Sequence, residues 1–223
     1  MTQDKSGTQT TPKRQTLWSA DTVLNLLLVV LEVWALVTRY LNSDLSMFLY
    51  YTQCSNLFAA VAGAVCLAAN AGKVNKAHAH VLKFCACATQ LMTFVVVVFV
   101  LAPMINSTGQ SGFHYLFLRG VTPVTHLLGP VLTIASYLLY EREPQPRFRE
   151  CVLALLPTLA YALVAYTCNY LRVFEGPYPF FLVWNMPPWQ TAIWFVALLA
   201  MASALVGLLW FVATRLRTHA LRQ

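Results

Sequence analysis

Tyr50-Tyr51-Thr52-Gln53-Cys54-Ser55-Asn56 opens a segment that then runs apolar as far as Ala69. Thr52 to Asn56 are five consecutive polar or thiol side chains at the head of a hydrophobic helix. Such groups are costly to bury unless they bond to something or act on something. The segment, 48–69, has the length that a helix needs to cross a hydrocarbon core, about 20 mainly apolar residues. Five more segments share that length and character: 17–38, 82–104, 120–140, 151–171 and 189–214.

Composition agrees with this reading. Of 223 residues, 58% are hydrophobic and only 10% charged, where a soluble domain carries about 25% charged residues. The deficit runs along the whole chain, which indicates an integral membrane protein. Backbone groups in lipid must be satisfied within their own segment, and the connections are too short for a separate domain. The expected fold is therefore all-α, a six-transmembrane-helix bundle over 17–214, with a polar tail at 1–16 and a basic one at 215–223. The opening residues hold Lys5, Lys13 and Arg14 and no short apolar core with a small-residue cleavage site. The segment from Leu17 is thus expected to be a retained span.

Charge placement orients the bundle. Counted through the seven polar segments, the fifteen Lys and Arg residues fall as three, one, three, one, three, one, three. Lys73, Lys76 and Lys83 make one rich segment, Arg142, Arg147 and Arg149 another, Arg215, Arg217 and Arg222 the last; Arg39, Arg119 and Arg172 stand alone. This alternation predicts cytoplasmic termini, in the plasma membrane if the source is bacterial. It also assigns the net charge of +7 to topology and headgroup contact rather than to nucleic acid. Tyr50, Tyr115, Tyr178 and Trp184 gather at the opposite ends, as interfacial rings do. Pro177, Pro179, Pro187 and Pro188 make 172–188 a rigid cap there. Asn106-Ser107-Thr108 is a glycosylation sequon on that side. The six cysteines form no disulfide pattern, and Cys85-Ala-Cys87 after His78 and His80 fits no common zinc spacing. Packing or palmitoylation explains that pair, and neither metal nor cofactor is expected.

Helical spacing sorts the polar residues into faces. Thr52, Ser55, Asn56, Ala59 and Gly63 share one, and Arg119, Thr122, His126, Gly129 and Thr133 another. Glu32 in the first segment and Asn169 in the fifth lie in the outer half. Asp21 and Asn25 lie near the cytoplasmic surface, where capping explains them. At ~1.5 Å per residue, Thr52 is about 6 Å and His126 about 9 Å below the outer helix ends. These faces converge on one outward pocket under the cap. A Thr hydroxyl needs a base to become a nucleophile, and a neutral imidazole is the commonest. Thr52 and His126 are the candidate pair. Asn56 and Arg119 are candidate oxyanion donors, and Ser55, Glu32 and Asn169 further substrate or oxyanion contacts. The plainer alternative is that Ser and Thr bond the preceding turn and that His126 bridges two helices. No Gly-x-Ser-x-Gly elbow, His-Glu-x-x-His helix or phosphate-binding loop is present. A shallow intramembrane pocket suits an amphiphilic lipid ester.

Three motifs in order carry a resemblance: Tyr50-Tyr51-Thr52-Gln53-Cys54-Ser55-Asn56-Leu57, Thr125-His126-Leu127-Leu128-Gly129-Pro130 and Gly176-Pro177-Tyr178-Pro179-Phe180-Phe181-Leu182. With the six-span layout, they make the chain resemble the membrane family that includes the androgen-induced protein and the androgen-dependent regulator of tissue factor pathway inhibitor. It resembles more closely still their bacterial six-helix relatives of unknown function. The animal members are threonine hydrolases that cleave fatty acid esters of hydroxy fatty acids. The resemblance implies Thr52 as nucleophile and His126 as base. It departs at Thr122-Pro123, where the animal members have Asn-His.

A second class of function fits the same composition: a non-enzymatic membrane protein, either a small-solute transporter or a lipid-binding module. A transporter needs polar groups along a path through the bilayer. The second, fourth and sixth segments are apolar through most of their inner halves, which speaks against a continuous path, while Thr89, Gln90 and Thr93 in the third keep one open.

Overall fold

Proline shapes the helices that carry the polar residues. In a computed structural model, which describes residues 19–140 and 146–220, every regular element is helical: α1 (Ala20–Ser43), α2 (Tyr51–Asn70), α3 (Lys76–Val96), α4 (Ala102–Asn106), α5 (Gly112–Phe117), α6 (Gly129–Tyr140), α7 (Phe148–Tyr170) and α8 (Pro188–Ala220). The expected 1–16 tail and Lys5, Lys13, Arg14, Arg142 and Arg222 lie outside the described residues. Turns of π-helix, Val97–Leu101 and Val124–Leu128, lead into α4 and α6. Each ends two residues before a proline, Pro103 or Pro130. Proline has no N–H to give and its ring collides with the carbonyl four residues back. The wider turn relieves both: the Ala102 and Gly129 amides bond the carbonyls of Val97 and Val124 instead. A π-turn also re-aims its own side chains, and one of them is His126.

Five stretches are long and apolar enough to cross a membrane: Ala20–Leu49, Tyr51–Asn70, Lys76–Asn106, Phe148–Tyr170 and Pro188–Thr218. The segment expected at 120–140 is an apolar helix over Val124–Tyr140, about 25 Å long at 1.5 Å per residue. It starts late because Gly120 takes a left-handed φ of 58°, open to glycine without steric cost. Thr122 then closes the turn by bonding the Arg119 carbonyl at 2.6 Å. Arg119 therefore precedes the helix and does not extend the His126 stripe.

α3 is the axis of the bundle. Residues 83–90 are all buried, α2, α6, α7 and α8 pack around the helix, and α1 packs on α2 and α6. Phe84 and Tyr137 anchor a core with Ala154, Val206 and Leu209. A second core joins Tyr51, Met92, Val96 and Ala165 to Phe180 and Phe181 of the loop before α8. α7 and α8 turn apolar side chains outward, with Val164 62% and Val196 63% exposed, the surface that lipid covers. Lipid is as apolar as leucine, so close packing and interhelical hydrogen bonds hold such helices together. Gly63 supplies the first: a Cβ there would meet Val29 Cγ2 at 3.0 Å. Gln90 supplies the second, its Nε2 donating to Asn56 Oδ1 at 2.9 Å and to the Ser55 carbonyl at 3.2 Å.

One expectation is corrected at the opposite end. Lys83, counted above with the polar loop, is fully buried, because α3 begins at Lys76 and carries it two turns into the bundle. Its Nζ donates to Asn25 Oδ1 at 2.6 Å, Asn25 Nδ2 to Asp21 Oδ1 at 2.7 Å, and Asn70 Nδ2 to Asp21 Oδ2 at 2.6 Å. Asp21 and Asn25 thus staple three helices rather than cap one.

Candidate active site

A cavity of about 440 Å³ opens at the end of the bundle where α2 begins. Arg39 of α1, Thr52 and Gln53 of α2, His126 of the π-turn and Tyr178 of the 171–187 loop all line it. α2 packs against both that π-turn and α6, which brings the two sequence-predicted partners to one space. Both are nearly buried, Thr52 at 5% and His126 at 6% exposure.

His126 is held from one side. Its Nδ1 lies 2.6 Å from the Leu116 carbonyl. A carbonyl only accepts, so Nδ1 carries the proton and Nε2 keeps its lone pair. Phe117 packs edge-on to the ring at 6.2 Å. Leu116 is placed by α5, whose first turn is capped by Ser111 Oγ accepting from the His114 amide at 3.2 Å. The Gly112 amide donates to Asn106 Oδ1 at 2.8 Å. The sequon asparagine thereby ties α4 to α5.

Thr52 is the second residue of α2, so its backbone N–H is among those that the helix itself leaves unbonded. Tyr178 lines the same cavity as Thr52, its phenol close enough to Thr52 and Tyr51 at the start of α2 for their dipoles to act on it. That places a phenol near the positive end of α2, where the dipole and free amides favour developing negative charge. Burial pushes the Tyr178 phenol up to about 12, against the opposing influence of Thr52 and Tyr51. Its stabilising contribution is then complete below the ordinary tyrosine value of about 10 and is lost as pH rises through about 12. Thermal melts in detergent should show roughly 2–3 kcal/mol of stability lost across that window, and Tyr178→Phe should flatten the decline.

The remaining sequence-predicted residues do other work. Ser55 Oγ bonds Thr93 Oγ1 of α3 at 2.7 Å, and Asn56, fully buried, bonds Gln90; neither lines the cavity. Arg119 is exposed, its guanidinium 5.4 Å from the centre of the Tyr115 ring, so it is no oxyanion donor in this arrangement. Glu32 is fully buried against Gly129, both carboxyl oxygens without a hydrogen-bond partner among the described residues, and it too lies off the cavity wall. Asn169 clamps the loop instead of contacting the cavity. Its Nδ2 donates to the Gly176 carbonyl at 2.9 Å, its Oδ1 accepts from the Gly176 amide at 2.9 Å, and its own carbonyl accepts from Trp184 Nε1 at 3.2 Å. Asn169→Ala should cost about 1–3 kcal/mol and loosen Tyr178, read as a lower melting temperature together with faster amide exchange at 176–181.

Compared with protein-family models, curated proteins and solved structures, the chain finds no match. The arrangement itself must carry the functional reading. Among the described residues no group of three or more His, Cys, Asp or Glu side chains is placed to hold a metal. Among the cavity residues whose place the sequence did not show are Tyr178, taken as an interfacial ring, Gln53, read only as part of the polar run, and Arg39, read only as a topology charge. Tyr178 had a signal, its place inside Gly-Pro-Tyr-Pro. Thr93 and Gln90, the groups that a transport path would use, are engaged in bonds to α2. A wider groove of about 610 Å³ beneath Trp184 at the ends of α7 and α8 contains none of the predicted site residues.

Proposed function

We propose that the chain is an integral-membrane lipid-ester hydrolase with six spans, cytoplasmic termini and a Thr–His site facing outward. The observation that carries this reading is that Thr52 and His126, from separate helices, line one cavity while Leu116 holds His126 with Nε2 as its basic nitrogen. The charge alternation supports the orientation, and the 119–122 turn adds the few ångströms by which Val124–Tyr140 falls short of a full span. The resemblance to six-span threonine hydrolases supports the assignment of roles.

In this reading Nε2 takes the Thr52 proton, directly or through one water, as Oγ attacks the ester carbonyl carbon. The Tyr178 hydroxyl and the first amides of α2 stabilise the oxyanion. Collapse breaks the bond to the alcohol oxygen, which leaves with the proton from His126. Water, deprotonated by His126, then attacks the acyl carbon; the bond to Thr52 Oγ breaks, Oγ takes the proton back from His126, and the acid is released. Bilayer and an amphiphilic ester are the partners required. Purified protein in detergent micelles should release fatty acid from long-chain acyl esters and react with a fluorophosphonate. An intact protein that does neither is not a hydrolase.

A further inference from the structure

Thr52 stands at a junction of voids. Besides the polar cavity, it lines a slot of about 40 Å³ whose other walls are mainly apolar, among them Val96, Leu101, Ala162, Phe181 and Leu198. Cavity and slot share Thr52, Leu101 and Tyr178. Further from Thr52, the slot shares Thr158, Ala162 and Leu198 with a void of about 20 Å³ between α7 and α8. That void is completed by side chains such as Phe195 and Leu199, and Leu199 is 39% exposed on the face that α8 turns to lipid. Their shared wall residues make the three spaces neighbours, in order from the polar cavity, past the candidate nucleophile, to the α7–α8 side of the bundle.

We infer that the slot is the path of an unbranched acyl chain, which enters sideways from the bilayer between α7 and α8 and lays its ester at Thr52. Ala162 and Leu198 set which chains pass. This rests on the hydrolase reading for what happens at Thr52, but binding in the slot does not need catalysis. The slot, at about 40 Å³, holds about three water-sized spheres in its accessible space, room for a short stretch of a slim chain and little for a ring system. A chain moving from lipid to slot changes one apolar surrounding for another, so selection here is by shape rather than by hydrophobic gain. The polar remainder of the ester would lie in the larger cavity, beside Arg39 and Gln53.

The test uses the full chain in phosphatidylcholine vesicles with palmitic acid carrying a mid-chain diazirine, cross-links being mapped by mass spectrometry. Cross-links are expected on Val96, Ala162 and Leu198. Ala162→Phe and Leu198→Phe, on opposite walls, should each lower the remaining slot cross-links about tenfold by filling the space and leave those on outward Val164 unchanged. Cross-links confined to Val164 and Val196, or slot cross-links unaffected by either variant, overturn the inference. Slot cross-linking in a protein inert to fluorophosphonate would sink the hydrolase reading and retain the slot. A reactive Thr52 without slot cross-links would do the reverse.

Discussion

Thr52→Ala protein should show no fluorophosphonate labelling, and His126→Ala should label roughly 10²–10⁴-fold more slowly than wild type, the usual contribution of a general base. A threonine hydroxyl is a weak nucleophile at neutral pH, so the rate depends on where its proton goes. The Leu116 carbonyl leaves Nε2 as the lone-pair nitrogen of His126, and that nitrogen is the acceptor lost in the alanine variant. Thr52→Ser keeps a hydroxyl at the first turn of α2 and should retain labelling. Intact-mass spectrometry over a time course measures all three, with circular dichroism melts showing that the variants are folded. Equal labelling rates in wild type and His126→Ala would remove His126 from the mechanism.

Gly112→Ala should be nearly as damaging, although Gly112 is absent from the cavity lining. A Cβ at Gly112 would overlap the Ala102 carbonyl oxygen and meet the carbonyl carbon and Cα at 2.8 Å. Those are backbone atoms of α4, so α5 must move away as a unit. Overpacking of this kind costs about 1–3 kcal/mol, and the displaced α5 takes Leu116 with it. Labelling of Thr52 should fall about tenfold or more, since an unanchored imidazole loses both tautomer and direction. Gly207→Ala is the control: nothing lies within 4 Å of a Cβ there, and alanine in mid-helix should stabilise by up to about 1 kcal/mol. A Gly112→Ala protein that melts and labels like wild type would mean that α5 does not seat His126.

The five long apolar helices were legible because such a helix announces itself by length and composition alone. That Thr52 and His126 line one cavity was legible for a related reason: helical rise converts residue number into depth, and helical period converts it into a face. What period cannot say is which neighbour a face meets. Ser55 and Asn56 share Thr52's stripe, yet α3 lies against them and Gln90 and Thr93 take their bonds. Arg119 was placed on the His126 face by extending a helix that Gly120 had already ended. Lys83 resembled a loop charge because hydropathy begins the third segment at 82, whereas α3 starts at Lys76. Gly-Pro-Tyr-Pro marked an ordered turn around Tyr178, but where its ring lands depends on the path of an irregular loop fixed by Asn169, a tertiary fact.

The central claim is that Thr52 is the atom-bearing nucleophile of this cavity. Peptide mapping of the fluorophosphonate adduct on purified wild-type protein tests it most directly. The phosphonyl mass is expected on Thr52 alone, with its appearance slowed in His126→Ala. An adduct on any other residue, or hydrolysis of acyl esters that continues undiminished in Thr52→Ala, would contradict it.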